Sequence, residues 1–129
     1  MIVLDASAAV EWLLGSRRGH RVDALVSVAG VVAAPHLIDA EVLSVIRRLV
    51  LTGALSADRA AMALEDWSNA PLRRYPLHPM LPSAFALRDN VSGYDALYLV
   101  LARTLGATLV TGDARLARAA VGHATAEVV

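Results

Sequence analysis

The sequence contains no cysteine and no lysine. Without thiols it has no disulfide framework and no thiolate metal site, and a cytosolic protein is the expectation. Without lysine it has neither a Walker-type phosphate loop nor a Schiff-base nucleophile. No G-x-G-x-x-G is present either, which weighs against a dinucleotide site. The basic side chains are therefore all arginine, 12 against 12 acids, for a formal net charge of zero. That balance neither favours nor excludes a polyanionic partner. Aromatics are scarce: two tryptophans, three tyrosines and one phenylalanine, too few for an extended base-stacking platform. No apolar run reaches membrane-spanning length. Ile2 to Leu14 carries Asp5 and Glu11 and lacks a basic lead-in, unlike a secretory signal.

What remains is a chain of 129 residues, 57% apolar, which suffices for one domain with a real core, expected to span 1–129. The stretch Ser92 to Ala119 organises it. Leu97, Val100, Leu101 and Leu105 line one side of a helix that is apolar nearly all round and so should be buried. Gly106 stops it. Thr108 to Thr111 is a short strand, and Gly112-Asp113 turns the chain into a last helix, Ala114 to Ala119. Asp95 and Asp113 thus flank buried elements. Each also has a plainer reading. Ser92-x-x-Asp95 fits a capping box, and Asp113 fits an N-cap.

The rest alternates strand and helix. Met1 to Leu4 is a strand running into Asp5, with a helix from about Ala8 to Leu14, capped by Asp5 or Ser7. A short helix from Arg21 to Val28 precedes a strand, Val31 to Ala34, closed by Pro35. Leu37 to Leu51 is a longer helix with an apolar stripe through Ile38, Val42, Val45, Ile46 and Leu49. Glu41 lies beside that stripe, too far in to be a cap; it is either a functional acid or a partner of Arg48 or Arg47. A helix from Ser56 to about Trp67, an edge strand from Leu72 to Pro76, a short helix from Pro82 to Arg88 and a last strand within Thr125 to Val129 complete the pattern. The histidines His20, His36, His78 and His123 are scattered without ligand spacing and read as surface or loop residues.

Such alternation implies a parallel sheet covered on both faces, with right-handed crossovers. Ligands in such sheets bind at the strands' C-terminal ends, where strand order reverses. Asp5 and Asp113 overlook one crevice if their strands are neighbours there. Asp95 reaches it only through a helix running back from the strand ends, an awkward fit to simple alternation.

The motifs Ile2-Val3-Leu4-Asp5-Ala6-Ser7, Pro35-x-Leu37 with Glu41-Val42, Ser92-x-Tyr94-Asp95-Ala96-x-Tyr98 and Thr111-x-Asp113-x-x-Leu116 occur in this order. Together they resemble those of PIN-domain nucleases, in particular VapC-type toxin ribonucleases, over nearly the whole chain. The resemblance implies a three-layer α/β/α fold with a short, mainly parallel central sheet, and metal-dependent cleavage of RNA. It implies that Asp5, Glu41, Asp95 and Asp113 surround Mg²⁺ or Mn²⁺, with Ser7 and Thr111 as small hydroxyl positions nearby. Oxygen ligands suit these ions. Asp5 and Asp113 are the expected direct ligands, Glu41 and Asp95 binding directly or through water. Asp39 has a weaker claim, as a solvent-facing acid, and Arg115 is either a phosphate contact or a solvated helix arginine.

The same resemblance implies a cognate VapB-type antitoxin and a homodimer. Surplus apolar surface agrees with both, on Trp12, Leu13 and Leu14 and on the hairpin from Leu49 to Trp67. Two other readings stay open: a phospho-acceptor receiver domain, for which the usual lysine is missing, and an inactive PIN domain that only binds.

Overall fold

Five short strands form one wholly parallel sheet in the computed structural model, which describes residues 1–129. In chain order they are β1 (Ile2–Leu4), β2 (Val32–Pro35), β3 (Leu72–Tyr75), β4 (Thr108–Thr111) and β5 (Ala126–Val128); across the sheet they lie β3-β2-β1-β4-β5. The connecting helices are α1 (Ala6–Leu14), α2 (Arg17–Ala29), α3 (Leu37–Leu51), α4 (Ala57–Asn69), α5 (Leu81–Phe85), α6 (Gly93–Leu105) and α7 (Ala114–Ala119).

The chain begins in the middle of the sheet, steps outward through β2 to β3, returns to lay β4 beside β1, and steps the other way to β5. A right-handed crossover puts its helix on the face set by the direction of travel. That places α1 to α4 on one face and α5 to α7 on the other, the expected three layers. Strand order reverses between β1 and β4. Their register pairs Leu4 with Val110, so the next residues, Asp5 and Thr111, meet at the crevice.

The inner strands are buried on both faces, which is why β1 reads as an unbroken apolar run and β4 sets Leu109 and Val110 side by side rather than alternating. Helix α6 is buried without interruption from Ala96 to Ala102, against β1, β2 and β4. Its N-terminus lies over the strands' C-terminal ends, because a helix leading into a parallel strand must run back along the sheet. The expected awkwardness over Asp95 therefore disappears. Gly106 ends α6 at φ 60, and its N–H bonds the carbonyls of Ala102 and Arg103.

Several boundaries differ from the sequence reading, each for a local reason. Helix α1 starts at Ala6 because Asp5 itself is the N-cap. Helix α2 starts four residues early, at Arg17, because Ser16 caps it by accepting from Gly19 N–H. Gly19 also fixes the approach of α2 to α1: a Cβ there would lie 2.1 Å from the Glu11 carbonyl oxygen. The expected helix Pro82 to Arg88 is shorter, Leu81–Phe85, after a 3₁₀ turn at His78–Met80. Pro79 and Pro82 lie in the first turns of these two elements, where an N–H has no helical partner in any case. No helix is long and apolar enough to cross a membrane.

Candidate functional site

Asp5 is only 5% exposed, at the mouth of the β1–β4 seam. Three donors hold its carboxylate. Ala8 N–H and the Ser7 hydroxyl bond Oδ1 at 2.9 and 2.7 Å, and the Thr111 hydroxyl bonds Oδ2 at 2.5 Å. Both hydroxyls are themselves clamped by the turn after β4. Gly112 N–H donates to Ser7 Oγ at 2.8 Å, and Asp113 N–H donates to Thr111 Oγ1 at 2.9 Å. Gly112 permits this closeness, since a Cβ there would lie 3.2 Å from Ser7 Oγ. Ser7 and Thr111 thus tie the Asp113 turn to the Asp5 carboxylate.

Burying a carboxylate costs several kcal/mol after relaxation. Hydrogen bonds to a charged group return about 1.5–3 kcal/mol each. Here burial outweighs the three bonds, and the Asp5 carboxyl holds its proton above the ordinary value of 3.8, with a smaller push from Asp95. Glu41, on α3, is raised above its usual 4.5 in the same way, mainly by burial and further by Asp5 and Asp95. Repulsion among the acids is real but secondary to desolvation.

Glu41 pairs with neither Arg47 nor Arg48. It accepts from the Tyr98 hydroxyl of α6 at 2.7 Å. Burial and that bond push the phenol strongly upward, so Tyr98 remains a donor. Asp95 forms half of a capping box: its N–H donates to Ser92 Oγ at 3.3 Å, while its carboxylate takes no hydrogen bond in return. Asp113 does cap α7, accepting from Arg115 N–H at 2.8 Å on Oδ1. Its Oδ2 lies 3.7 Å from the Arg115 guanidinium, which is 80% exposed.

Asp5, Glu41, Asp95 and Asp113, from four separate segments, line one cleft of about 510 Å³ together with Ser7. As the side chains lie, no three acids or histidines converge closely enough to grip one ion. The donor set nevertheless fits a hard cation. It is all oxygen, and Asp5 and Glu41 are carboxylates whose burial no cation offsets.

Asp39 is elsewhere and has a structural task. Arg74 Nε bonds both its oxygens, at 3.1 and 2.8 Å, and Trp67 Nε1 bonds Oδ1 at 2.8 Å, joining α3, α4 and β3. It is not a free solvent-facing acid. Trp12 is half-buried, its indole donating to Asp23 of α2 at 3.0 Å. Leu13 and Leu14 also pack against the core, and Arg59 of α4 bonds the Leu13 carbonyl at 2.9 Å. The apolar surface left over is instead on Leu43, Leu51 and Met62 of the α3–α4 region and on Leu81, Phe85 and Tyr94. The tie from Tyr98 to Glu41 was missed in the sequence. Its only signal there is a polar-tipped aromatic on an otherwise buried helix.

An α/β/α sheet with carboxylates gathered at its switch point defines a class. Residues 2–122 match the PIN domain model. The chain belongs to the PIN-domain family, and within it to the VapC ribonucleases. It is 39% identical over 116 residues to VapC ribonuclease Mb0985 of Mycobacterium bovis, covering 90% of this chain and 88% of that protein. It is 37% identical to Ribonuclease VapC12 of Mycobacterium tuberculosis over 129 residues, 100% of this chain and 99% of the other. Among solved structures, Mycobacterium tuberculosis VapC20, described as a sarcin-ricin loop cleaving toxin, superposes with a TM-score of 0.70 at 17% identity. That match covers 92% of this chain and 95% of the other. This membership sets aside the receiver-domain reading.

The raised carboxyls fix a pH dependence. Asp5 and Glu41 bind protons more tightly folded than unfolded, so their contribution to stability is complete below 3.8 and 4.5 and is lost as pH rises through the folded values. In chelator, the wild type should lose melting temperature relative to Asp5→Asn/Glu41→Gln as pH climbs from about 4 to 7. Thermal scans giving parallel curves across that range would contradict it.

Proposed function

We propose that this chain is a metal-dependent endoribonuclease, working as one domain over residues 1–129 and acting as the toxin of a toxin–antitoxin pair. The observation that carries the chemistry is the cleft itself: four carboxylates from four segments, of which Asp5, Glu41 and Asp95 have no basic partner. The names of the relatives support RNA as the substrate.

Asp5 and Asp113 would hold Mg²⁺ or Mn²⁺ directly, with Glu41 and Asp95 binding directly or through water. A bound ion would supply an acidic water and positive charge beside the scissile phosphate. The chain's own residues prepare for this. Ser7 and Thr111 hold the Asp5 carboxylate in one orientation. Tyr98 does the same for Glu41. Asp113 presents Oδ2 while Oδ1 secures α7. Asp95, whose carboxylate takes no hydrogen bond, would be the acid free to turn toward an ion. Arg115, exposed beside Asp113, would meet the substrate's phosphate.

Asp5→Asn and Asp113→Asn should each abolish Mg²⁺-dependent cleavage of single-stranded RNA, by a factor of about 100 or more, while the domain stays folded. Asparagine caps a helix about as well as aspartate, so loss of the cap does not confound the Asp113 variant. Cleavage by either variant at near wild-type rate, read on a gel against a folded control, would overturn the ligand assignment.

The proposal extends to a homodimer and to a cognate VapB-type antitoxin of small size. Exposed Leu43, Leu51 and Met62 support association, and Trp12 keeps a half-exposed edge for it. Light scattering should give a dimer of the isolated chain. Co-expression with a VapB-type antitoxin should give a complex that Trp12→Ala weakens more than it lowers the melting temperature. A stable monomer, with no complex recovered, would sink this part.

A further inference from the structure

Helix α3 presents one stripe to the acidic cleft: Leu37, Ala40, Glu41, Ser44, Val45 and Arg48. The spacing is that of a single helix face. Arg48 is the only basic side chain that lines this cleft, and it is exposed. It takes no acid as partner, since the chain's two ion pairs are Arg74 with Asp39 and Arg115 with Asp113. It lies two turns beyond Glu41, roughly 10 Å along the helix axis. A guanidinium left free in an acidic cleft is an arrangement that self-pairing would normally remove, because a carboxylate offers it a bidentate partner.

From α6 comes a second unclaimed group. Tyr94 is 64% exposed, in the first turn of α6 beside Asp95. It lines the acidic cleft and also the adjoining apolar hollow formed with Leu81, Phe85 and Leu97. The opposite arrangement holds four residues on, where Tyr98 is buried and bonded to Glu41. Tyr94 therefore has an exposed aromatic ring at the rim, between the acids and a hollow where Arg88 lies over the Phe85 ring.

We propose that Arg48 and Tyr94 hold a single-stranded segment of RNA across the acids, Arg48 by a backbone phosphate beside the cut and Tyr94 by stacking an unpaired base. The inference rests on the ribonuclease reading and adds the two residues that position the strand. Arginine suits a phosphate because its planar fork matches the oxygens. An isolated tyrosine suits a single base and leaves duplex RNA unrecognised, since paired bases keep their faces stacked on one another. Both residues are positioning residues; neither lies among the four acids.

The test measures anisotropy of a fluorescein-labelled single-stranded RNA with Mg²⁺ present, using Asp113→Asn protein so that the RNA survives. Adding Arg48→Ala should weaken binding and reduce the slope of log K against log salt by about 0.7, one phosphate contact on a single strand. Arg48→Lys should restore the slope. Adding Tyr94→Ala should weaken binding roughly 5- to 100-fold with the slope unchanged, and Tyr94→Phe should restore it. Duplex RNA of the same sequence should bind more weakly and be indifferent to Tyr94→Ala.

An Arg48→Ala protein with wild-type affinity and slope would overturn the phosphate contact. A Tyr94→Ala protein that binds single strands normally would overturn the base contact. If either substitution instead changes the oligomeric state in light scattering while RNA affinity holds, the rim is a protein interface and the proposal fails. Because binding is read without turnover, a wild type that binds in this pattern and never cleaves would defeat the ribonuclease reading and leave the two contacts standing.

Discussion

The pairing of β1 with β4 is the constraint on which the rest depends. It exists because the chain starts in the centre of its own sheet and returns there after β3. Asp5 and Thr111 are far apart in sequence, yet the register of two buried apolar runs leaves them face to face. The energy that sets this register is apolar burial: Val3, Leu4, Leu109 and Val110 are wholly inaccessible. A one-residue slip would exchange the helix layer each of them packs against and part Asp5 from Thr111. Packing that costs nothing in polar groups thus places a carboxylate where it costs a good deal.

That cost bears on function. Three hydrogen bonds to Asp5 do not fully offset its burial, and the residual deficit shows as a raised hold on its proton. Glu41 carries a similar deficit. Replacing a hydroxyl donor such as Thr111 with valine would leave Asp5 Oδ2 and the Asp113 N–H both unpaired, at about 1–3 kcal/mol for each buried group. The cleft is consequently stable as a scaffold and unsatisfied as an electrostatic environment, the state in which a cation binds with advantage.

Much of this was legible in the sequence, for reasons that can be located. An apolar run before Asp5 and a short β-branched run before Gly112-Asp113 mark strands, and the switch-point rule then brings those acids together. The all-round apolar character of α6 marks it as buried. Boundaries were less legible where capping decided them, as with Ser16 and α2. Side-chain pairing was the least legible. Glu41 has Arg48 two turns along its own helix, yet bonds Tyr98 from across the cleft, and Asp39 bonds Arg74 and Trp67. Local spacing gives the candidates, and only the packing of α3 against α4 and the meeting of α3 and α6 side chains at the strands' C-terminal ends select among them. Nor does any spacing rule show that Arg48 has no acidic partner.

The central claim is that Asp5 and Glu41 belong to one cation site whose occupancy displaces protons. Calorimetric titration of the chain with Mn²⁺ near pH 5.5, repeated in buffers of different ionisation enthalpy, tests it most directly. The account predicts binding with measurable proton release, which falls away as pH rises past the raised folded values of these two carboxyls and is lost, with most of the affinity, in Asp5→Asn/Glu41→Gln. Mn²⁺ binding without proton release at pH 5.5, or with unchanged affinity in the double variant, would contradict it.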